Sequence, residues 1–384
     1  MFGLIAIMFE QILSSADVIN NALERLKNYH YDFGTEFPAY GAGKSYVLTP
    51  NQNWLAGFWS GILWLSYAAT GDSAFREHAE SLLPTYEARL TERIRLNHDL
   101  GFLFTLAARP QYELTGHDHS KALAIRAADE LFMRFNSEGR YLQAWNDFGD
   151  PDEGGRFIID GMLNIPLLFW ASHITDDLRY AKVAVAHAET SQRFLVRDDG
   201  STYHTYIMNP ETGEPICPHT HQGYSDTSMW SRGQAWAITG FAIVAQWTGR
   251  DDFLDTAKKS AERFMEELPA QTVPLWDFRV PKEAPQYPDS SAAAIAANGM
   301  LRISQLTGMD DPYAEWARSL IHTLITQCYD TDPDARGWLQ HGTLHAIKGW
   351  GIDTYQIFGD YFFLEALLMI EGRAPDFWVG TQKG

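Results

Sequence analysis

Five times along the chain a helix-like run ends in nearly the same phrase: Ala69-Thr70-Gly71-Asp72, Leu114-Thr115-Gly116-His117-Asp118, Ile174-Thr175-Asp176-Asp177, Trp247-Thr248-Gly249-Arg250-Asp251 and Leu306-Thr307-Gly308-Met309-Asp310. The Gly or Asp after each threonine stops one helix, and the acidic residue that follows caps the next. In four of the five, the new helix opens with an aromatic and an alanine four residues later: Phe75/Ala79, Tyr180/Ala184, Phe253/Ala257 and Tyr313/Ala317. That step lies on one helix face and lets a neighbouring helix pack close. A chain punctuated in this way is a series of helical hairpins. The threonines are unevenly spaced, whereas a solenoid keeps its period. A closed ring of hairpins with loops inserted at one end accommodates the irregularity.

Apolar periodicity predicts helices over 10–29, 73–92, 98–115, 119–136, 158–173, 178–196, 230–247, 252–267, 289–305, 311–328 and 353–371, and another around Phe58-Trp59-Ile62-Leu63. That makes about twelve helices, or six hairpins. The segment 32–53, rich in Gly, Pro and Tyr, reads as a loop. Between the helices at 178–196 and 230–247, Thr202-Tyr203-His204-Thr205-Tyr206-Ile207 alternates as a strand, and Asn209-Pro210-Glu211-Thr212-Gly213 turns it back into a small β-hairpin insertion. No Ser/Gly/Pro-rich linker divides the chain, so residues 1–384 are expected to form one domain.

The formal net charge of −19 argues against a nucleic-acid partner and against an anionic membrane surface. Two cysteines, Cys217 and Cys328, are too few for a disulfide framework. The apolar start, Met1 to Phe9, lacks the basic residues and cleavage site of a signal peptide, and Glu10 ends it far short of a membrane span. A cytoplasmic location is expected. Aromatic residues make up 14% of the chain. Most must be core, but rings together with abundant carboxylates are also what a carbohydrate site requires, since sugar C–H faces stack on rings while hydroxyls bond to carboxylates.

Two aspartates stand where helices begin among apolar residues: Asp99 in Asn97-His98-Asp99-Leu100-Gly101-Phe102, and Asp160 in Ile158-Ile159-Asp160-Gly161-Met162-Leu163-Asn164. Either alone reads most simply as a cap. Both, however, have glycine within two residues, which leaves room for a ligand, and inner-helix N-termini of a hairpin ring converge at one mouth. A carboxylate pair there suits acid–base work on sugars. The densest polar and aromatic block runs from Gln222 to Trp236 and includes Trp230-Ser231-Arg232-Gly233-Gln234. Arg232 is either buried in a salt bridge, with Asp226 as the candidate partner, or the receptor of a substrate carboxylate. His204, His219 and His221 invite a metal reading, but supporting ligands are lacking beyond Cys217, and hydrogen bonding or stacking on sugar fits them better. Neither a metal nor a cofactor is expected. Asp289 and Asp360 read as caps and packing.

Together these residues resemble the unsaturated glucuronyl hydrolases of glycoside hydrolase family 88. The resemblance runs from Gly57-Phe58-Trp59 through His98-Asp99, Asp160, Ser225-Asp226 and the Trp230–Trp236 block to Gly359-Asp360-Tyr361. It implies an all-α fold, an (α/α)6 barrel of six helical hairpins. It also implies a hydrolase that removes the 4,5-unsaturated glucuronic acid from the non-reducing end of lyase-generated oligosaccharides, such as those from glycosaminoglycans, by hydrating the vinyl ether. By resemblance, Asp160 and Asp99 are catalytic. His98, Trp145, His204, Thr220, Gln222, Arg232, Trp236 and Lys348 bind substrate. The family's hydroxyl residue after the first-loop Trp is absent, since Trp54 is followed by Leu55-Ala56, and its terminal Gly-Asp-Tyr-Tyr is here Gly359-Asp360-Tyr361-Phe362. The Ser-x-x-Ser-x-Lys pattern of sulfate-binding members is here Thr343-Leu344-His345-Ala346-Ile347-Lys348, without the second Ser, so Lys348 carries over and the preference for sulfated substrates is left open. Two alternatives are an ordinary inverting glycosidase acting on saturated uronosides, and a non-catalytic sugar-binding toroid. A monomer or homodimer is expected.

Overall fold

Two kinds of helix alternate along the chain, one buried on every side and one on a single face. The structure, a computed structural model, describes residues 13–308 and 311–380. The apolar start, the opening residues of the helix expected over 10–29, and Met309 and Asp310 of the fifth phrase lie outside the described residues. In chain order the helices are α1 (Ser15–Tyr29), α2 (Ala56–Thr70), α3 (Ser73–Thr91), α4 (Leu100–Leu106), α5 (Ala108–Thr115), α6 (Asp118–Phe132), α7 (Pro166–Thr175), α8 (Leu178–Leu195), α9 (Ser231–Thr248), α10 (Asp251–Glu267), α11 (Ser290–Thr307), α12 (Pro312–Gln327) and α13 (Ile357–Ile370).

The fully buried set closes a ring. α2 packs on α4, α4 on α7, α7 on α9, α9 on α11, α11 on α13, and α13 back on α2. Around it, α3 covers α2, α6 covers α4 and α5, α8 covers α7, α10 covers α9, α12 covers α11 and α1 covers α13. The result is an (α/α)6 barrel. Sequence follows position: every residue from Ser231 to Ala245 of α9 is buried, whereas outer helix α10 buries Phe253, Thr256, Ala257, Ser260, Ala261 and Phe264 on one stripe. All four aromatic/alanine pairs are buried. No helix among the described residues is long and apolar enough to cross a membrane.

The repeated phrase performs as its chemistry dictates at most of its positions. Gly71, Gly116, Asp176 and Gly249 end their helices in the left-handed conformation. The side chains of Asp72 and Asp177 accept the backbone N–H of Ala74 and Arg179. Elsewhere the cap differs: His117 rather than Asp118 caps α6, α10 has no side-chain cap bond, and Asp311 caps α12.

Three expectations are corrected. The helix expected over 98–115 is broken at Ala107, because Pro110 clashes with the carbonyl four residues back, at Leu106, where α4 ends. The helix expected over 158–173 begins as a 3₁₀ turn over Ile159–Leu163, and α7 starts only at Pro166, a proline at its first position. The segment 32–53 is no plain loop, since β1 (Phe37–Ala42) and β2 (Ser45–Thr49) pair there as an antiparallel hairpin. Beyond a short β3 (Phe135–Asn136) and β4 (Tyr141–Leu142) pair, the insertion is a three-stranded sheet. Its strands are β5 (Arg156–Ile158), β6 (Thr205–Met208) and β7 (Pro215–His219), in the order β5-β6-β7.

Candidate active site

Because inner helices alternate with outer ones, their N-termini all open at one mouth of the barrel, and the two aspartates meet there. Strand β5 runs straight into the 3₁₀ turn. Its register, Ile158 opposite Thr205, and the bond from Ile159 N–H to the His204 carbonyl (3.0 Å) bring Asp160 against His204. His204 Nε2 lies 3.8 Å from Asp160 Oδ2. Asp99 stands at the entrance to α4, and glycine at 101 is what lets that entrance close on the Asp160 turn. A Cβ on Gly101 would fall 2.2 Å from Asn164 Cα.

Neither aspartate acts as a helix cap. Asp99 makes no side-chain bond to α4 and accepts instead from Asn97 Nδ2 at 2.9 Å. Asp160 Oδ2 is buried with no hydrogen-bond partner, an arrangement that costs stability unless the oxygen is protonated or serves a ligand. Burial, reinforced by the Asp99 charge and opposed by that of Arg232, pushes the Asp160 carboxyl up to about 7. His204 Nδ1 receives the backbone N–H groups of His221 (3.0 Å) and Gln222 (3.1 Å), so in the neutral ring the proton is on Nε2, facing Asp160. Burial first, then the charges of His221, Arg232, His345 and Arg156, hold this ring neutral.

The remaining candidates separate by depth. His98 is buried beside Asp99, with Nε2 3.4 Å from Oδ1. Thr220 and Gln222 lie on the loop over His204, and the Gln222 amide donates to the Leu344 carbonyl at 2.9 Å. Trp145 is half-buried, 5.0 Å from the His221 ring, and both line an open cleft of about 1100 Å³ outside the aspartates. Lys348 is exposed at the rim, its Nζ 3.4 Å from His221 Nε2 and over the Trp350 ring.

Two of the candidates are fully buried. Trp236 is fully enclosed between Phe102 and Phe362, so no face of its ring is open to a sugar. Arg232 is also fully buried, and its partner is Asp289, not Asp226. Arg232 Nη1 donates to Asp289 Oδ2 and to the Thr343 carbonyl, both at 2.7 Å, and Nη2 donates to the Leu344 carbonyl at 2.6 Å. Asp226 lies on the exposed loop, where it accepts from Thr220 N–H. Closure of the ring sets the start of α11 beside that of α9, and no local spacing could show it. Against the effect of burial, the Arg232 charge lowers the Asp160 carboxyl. The three histidines form no metal cluster, and no group of three or more ligating side chains exists among the described residues.

Sequence reasoning gives no site role to Asn164, Asp289 or His345. Asn164 bonds to both aspartate segments, and its one local signal is that it follows Asp160 by four residues. The buried His345 ring is 5.1 Å from His221, and its Nδ1 accepts the Lys348 backbone N–H at 3.4 Å.

The family model described as Glycosyl Hydrolase Family 88 matches residues 34–368. The unsaturated glucuronyl hydrolase of Bacillus sp. (strain GL1) is 43% identical over 353 residues, which cover 90% of this chain and 94% of that one. The unsaturated chondroitin disaccharide hydrolase of Streptococcus pyogenes serotype M1 is 36% identical, covering 96% and 95%. The crystal structure of the Bacillus sp. GL1 enzyme, described as responsible for the degradation of glycosaminoglycan, superposes with a TM-score of 0.93 at 41% identity, covering 96% of this chain and all of that one. A matched family model over most of the chain and relatives aligned nearly end to end leave one assignment: the chain belongs to glycoside hydrolase family 88.

Proposed function

We propose that this glycoside hydrolase removes a 4,5-unsaturated glucuronic acid from the non-reducing end of lyase-generated oligosaccharides. The observation that carries the reading is the buried Asp160 carboxyl, its Oδ2 without a hydrogen-bond partner, held at about 7 beside a second aspartate. A carboxyl poised near neutrality is able to give a proton and take one back within a single turnover.

In the proposed reaction Asp160 delivers its proton to C4 of the C4=C5 vinyl ether. The carboxylate so formed draws a proton from the water whose oxygen adds at C5. The product is a hemiketal. It opens to a C5 ketone, the ring oxygen becomes a hydroxyl on C1, and the C1 hemiacetal collapses to an aldehyde with loss of the aglycone alcohol. Atoms balance with one water consumed. Asp99 keeps its neighbour's proton in place by charge, and the Nε2–H of His204 points to the same carboxyl. Trp145, half-buried in the cleft wall, offers a face for the aglycone sugar, and His221 and Lys348 supply polar groups at the rim.

The names of the relatives support both the unsaturated uronic acid and its glycosaminoglycan-type source. The decisive experiment supplies unsaturated disaccharides from several polysaccharide lyases and follows loss of the ultraviolet absorbance of the double bond, with a saturated uronoside alongside. Loss with the unsaturated substrates and an inert saturated one is the expected result. Cleavage of the saturated compound would make the chain an ordinary glycosidase.

A further inference from the structure

Asn164 joins the two aspartate-bearing segments across the mouth of the barrel. Its Oδ1 accepts the backbone N–H of Phe102 at 2.7 Å, one of the first-turn donors of α4 that lack an acceptor within the helix. That bond fixes which end of the amide is nitrogen. Nδ2 therefore donates, to His98 Nδ1 at 3.1 Å and to the Asp160 carbonyl at 3.2 Å. A ring nitrogen that accepts a hydrogen bond carries no proton, so the neutral His98 ring keeps its proton on Nε2. Nε2 is buried without a hydrogen bond and lies 3.4 Å from Asp99 Oδ1.

We infer that Asn164 is a positioning residue that locks the proton of His98 on Nε2, where it faces the Asp99 carboxyl beside Asp160. A second proton on the ring would have to go on Nδ1, against the Asn164 N–H donor, so the same contact keeps His98 neutral. The inference rests on the reading of Asp99 and Asp160 as the reacting pair. The other groups facing this cluster are placed consistently. Arg134 and Arg89 face Asp99, and Arg134 also opposes a charge on His98. His187 of α8 faces His98, and Arg232 and His204 face Asp160. Burial is the main influence holding His98 below its ordinary value, with the Asp99 charge working the other way.

The test uses the full-length protein. Nitrogen-15 NMR of the histidine rings, with His98 assigned from the spectrum of His98→Gln, should show the wild-type ring protonated on Nε2 and bare on Nδ1. Asn164→Asp is isosteric and accepts at both positions, so it should bring a proton onto Nδ1. With an unsaturated uronic acid disaccharide, Asn164→Asp should lower kcat by about tenfold or more while KM moves less than about threefold. In the His98→Gln background no tautomer exists, and the amide donor replaces Nε2–H. There the same Asn164→Asp change should cost at most about threefold. A wild-type ring protonated on Nδ1 would overturn the inference. So would an equal cost of Asn164→Asp in both backgrounds, which would put that cost on the lost bond to the Asp160 carbonyl and the added charge, not on His98. If the wild type is inert on every unsaturated disaccharide yet shows the Nε2 proton, the functional reading fails and the placement of the proton stands.

Discussion

Replacing Asp289 by asparagine should leave the guanidinium of Arg232 buried without a counter-charge. Both side chains are fully enclosed, and burial disfavours the charged form of each, pushing Asp289 up and Arg232 down. Only their mutual attraction and the bonds to Thr343, Leu344 and Ser291 offset that cost. Removing one partner of such a pair typically costs about 3–5 kcal/mol. The amide still accepts one hydrogen bond from Nη1, which places the expected loss near the lower end, about 3 kcal/mol. For a chain of this length the unfolding entropy is roughly 0.8 kcal/mol per kelvin, so the melting temperature should fall by about 4 °C. The substitution should also reach the chemistry. Arg232's charge already lowers the Asp160 carboxyl, and without Asp289 beside it that influence grows. Asp160 must be protonated to act in the proposed reaction, so the alkaline limb of kcat/KM against pH should move below its wild-type position near 7. Calorimetry and a pH–rate profile on one preparation read both effects. An unchanged melting temperature, or a limb that moves upward, would refute the argument.

Asp160→Asn should lower kcat at least about a hundredfold with little change in substrate affinity, because the amide has no acidic proton to give; isothermal titration beside a rate assay measures both. Asp99→Asn should be nearly as damaging, and any residual activity should be lost at lower pH, since the Asp99 charge helps hold the Asp160 carboxyl up. Trp236→Ala should cost about 3–5 kcal/mol of stability, read by urea unfolding, because the ring is core; a large rise in KM from the milder Trp236→Phe at unchanged stability would put Trp236 back in the pocket. Burial lowers His187 from 6.5 to about 3 in the folded protein, so the unfolded chain binds the extra proton and stability contributed by this site falls as pH drops below about 6.5. His187→Gln keeps an acceptor for the Leu142 N–H and should flatten that decline between pH 6.5 and 4, as followed by thermal melts across the range.

Local chemistry made much of this protein readable from its sequence. A helix ends where a glycine or Asp176 turns left-handed, and starts where Asp72 or Asp177 accepts a backbone N–H; both are events within four residues, so the punctuation and the six hairpins were legible. The breaks at Pro110 and Pro166 are equally local and could have been read from proline's missing N–H and its clash one turn back. Candidate residues of the site were also visible, because carboxylates, rings and an arginine in apolar surroundings are chemically conspicuous. What tertiary structure decided is which of them touch. Arg232 faced two aspartates in principle. The nearer in sequence remained on an exposed loop, and the other arrived from a helix two elements further on because the ring closes there. Trp236 lies one helical turn below Arg232 on α9, and only the packing of Phe102 and Phe362 around it made it core. The proton on His98 depends on Asn164, whose orientation depends in turn on a backbone N–H from another helix. Periodicity and capping are properties of neighbouring residues and survive in a sequence. Burial, ion-pair choice and tautomer are set by groups far apart in the chain, and they exist only once the barrel has closed.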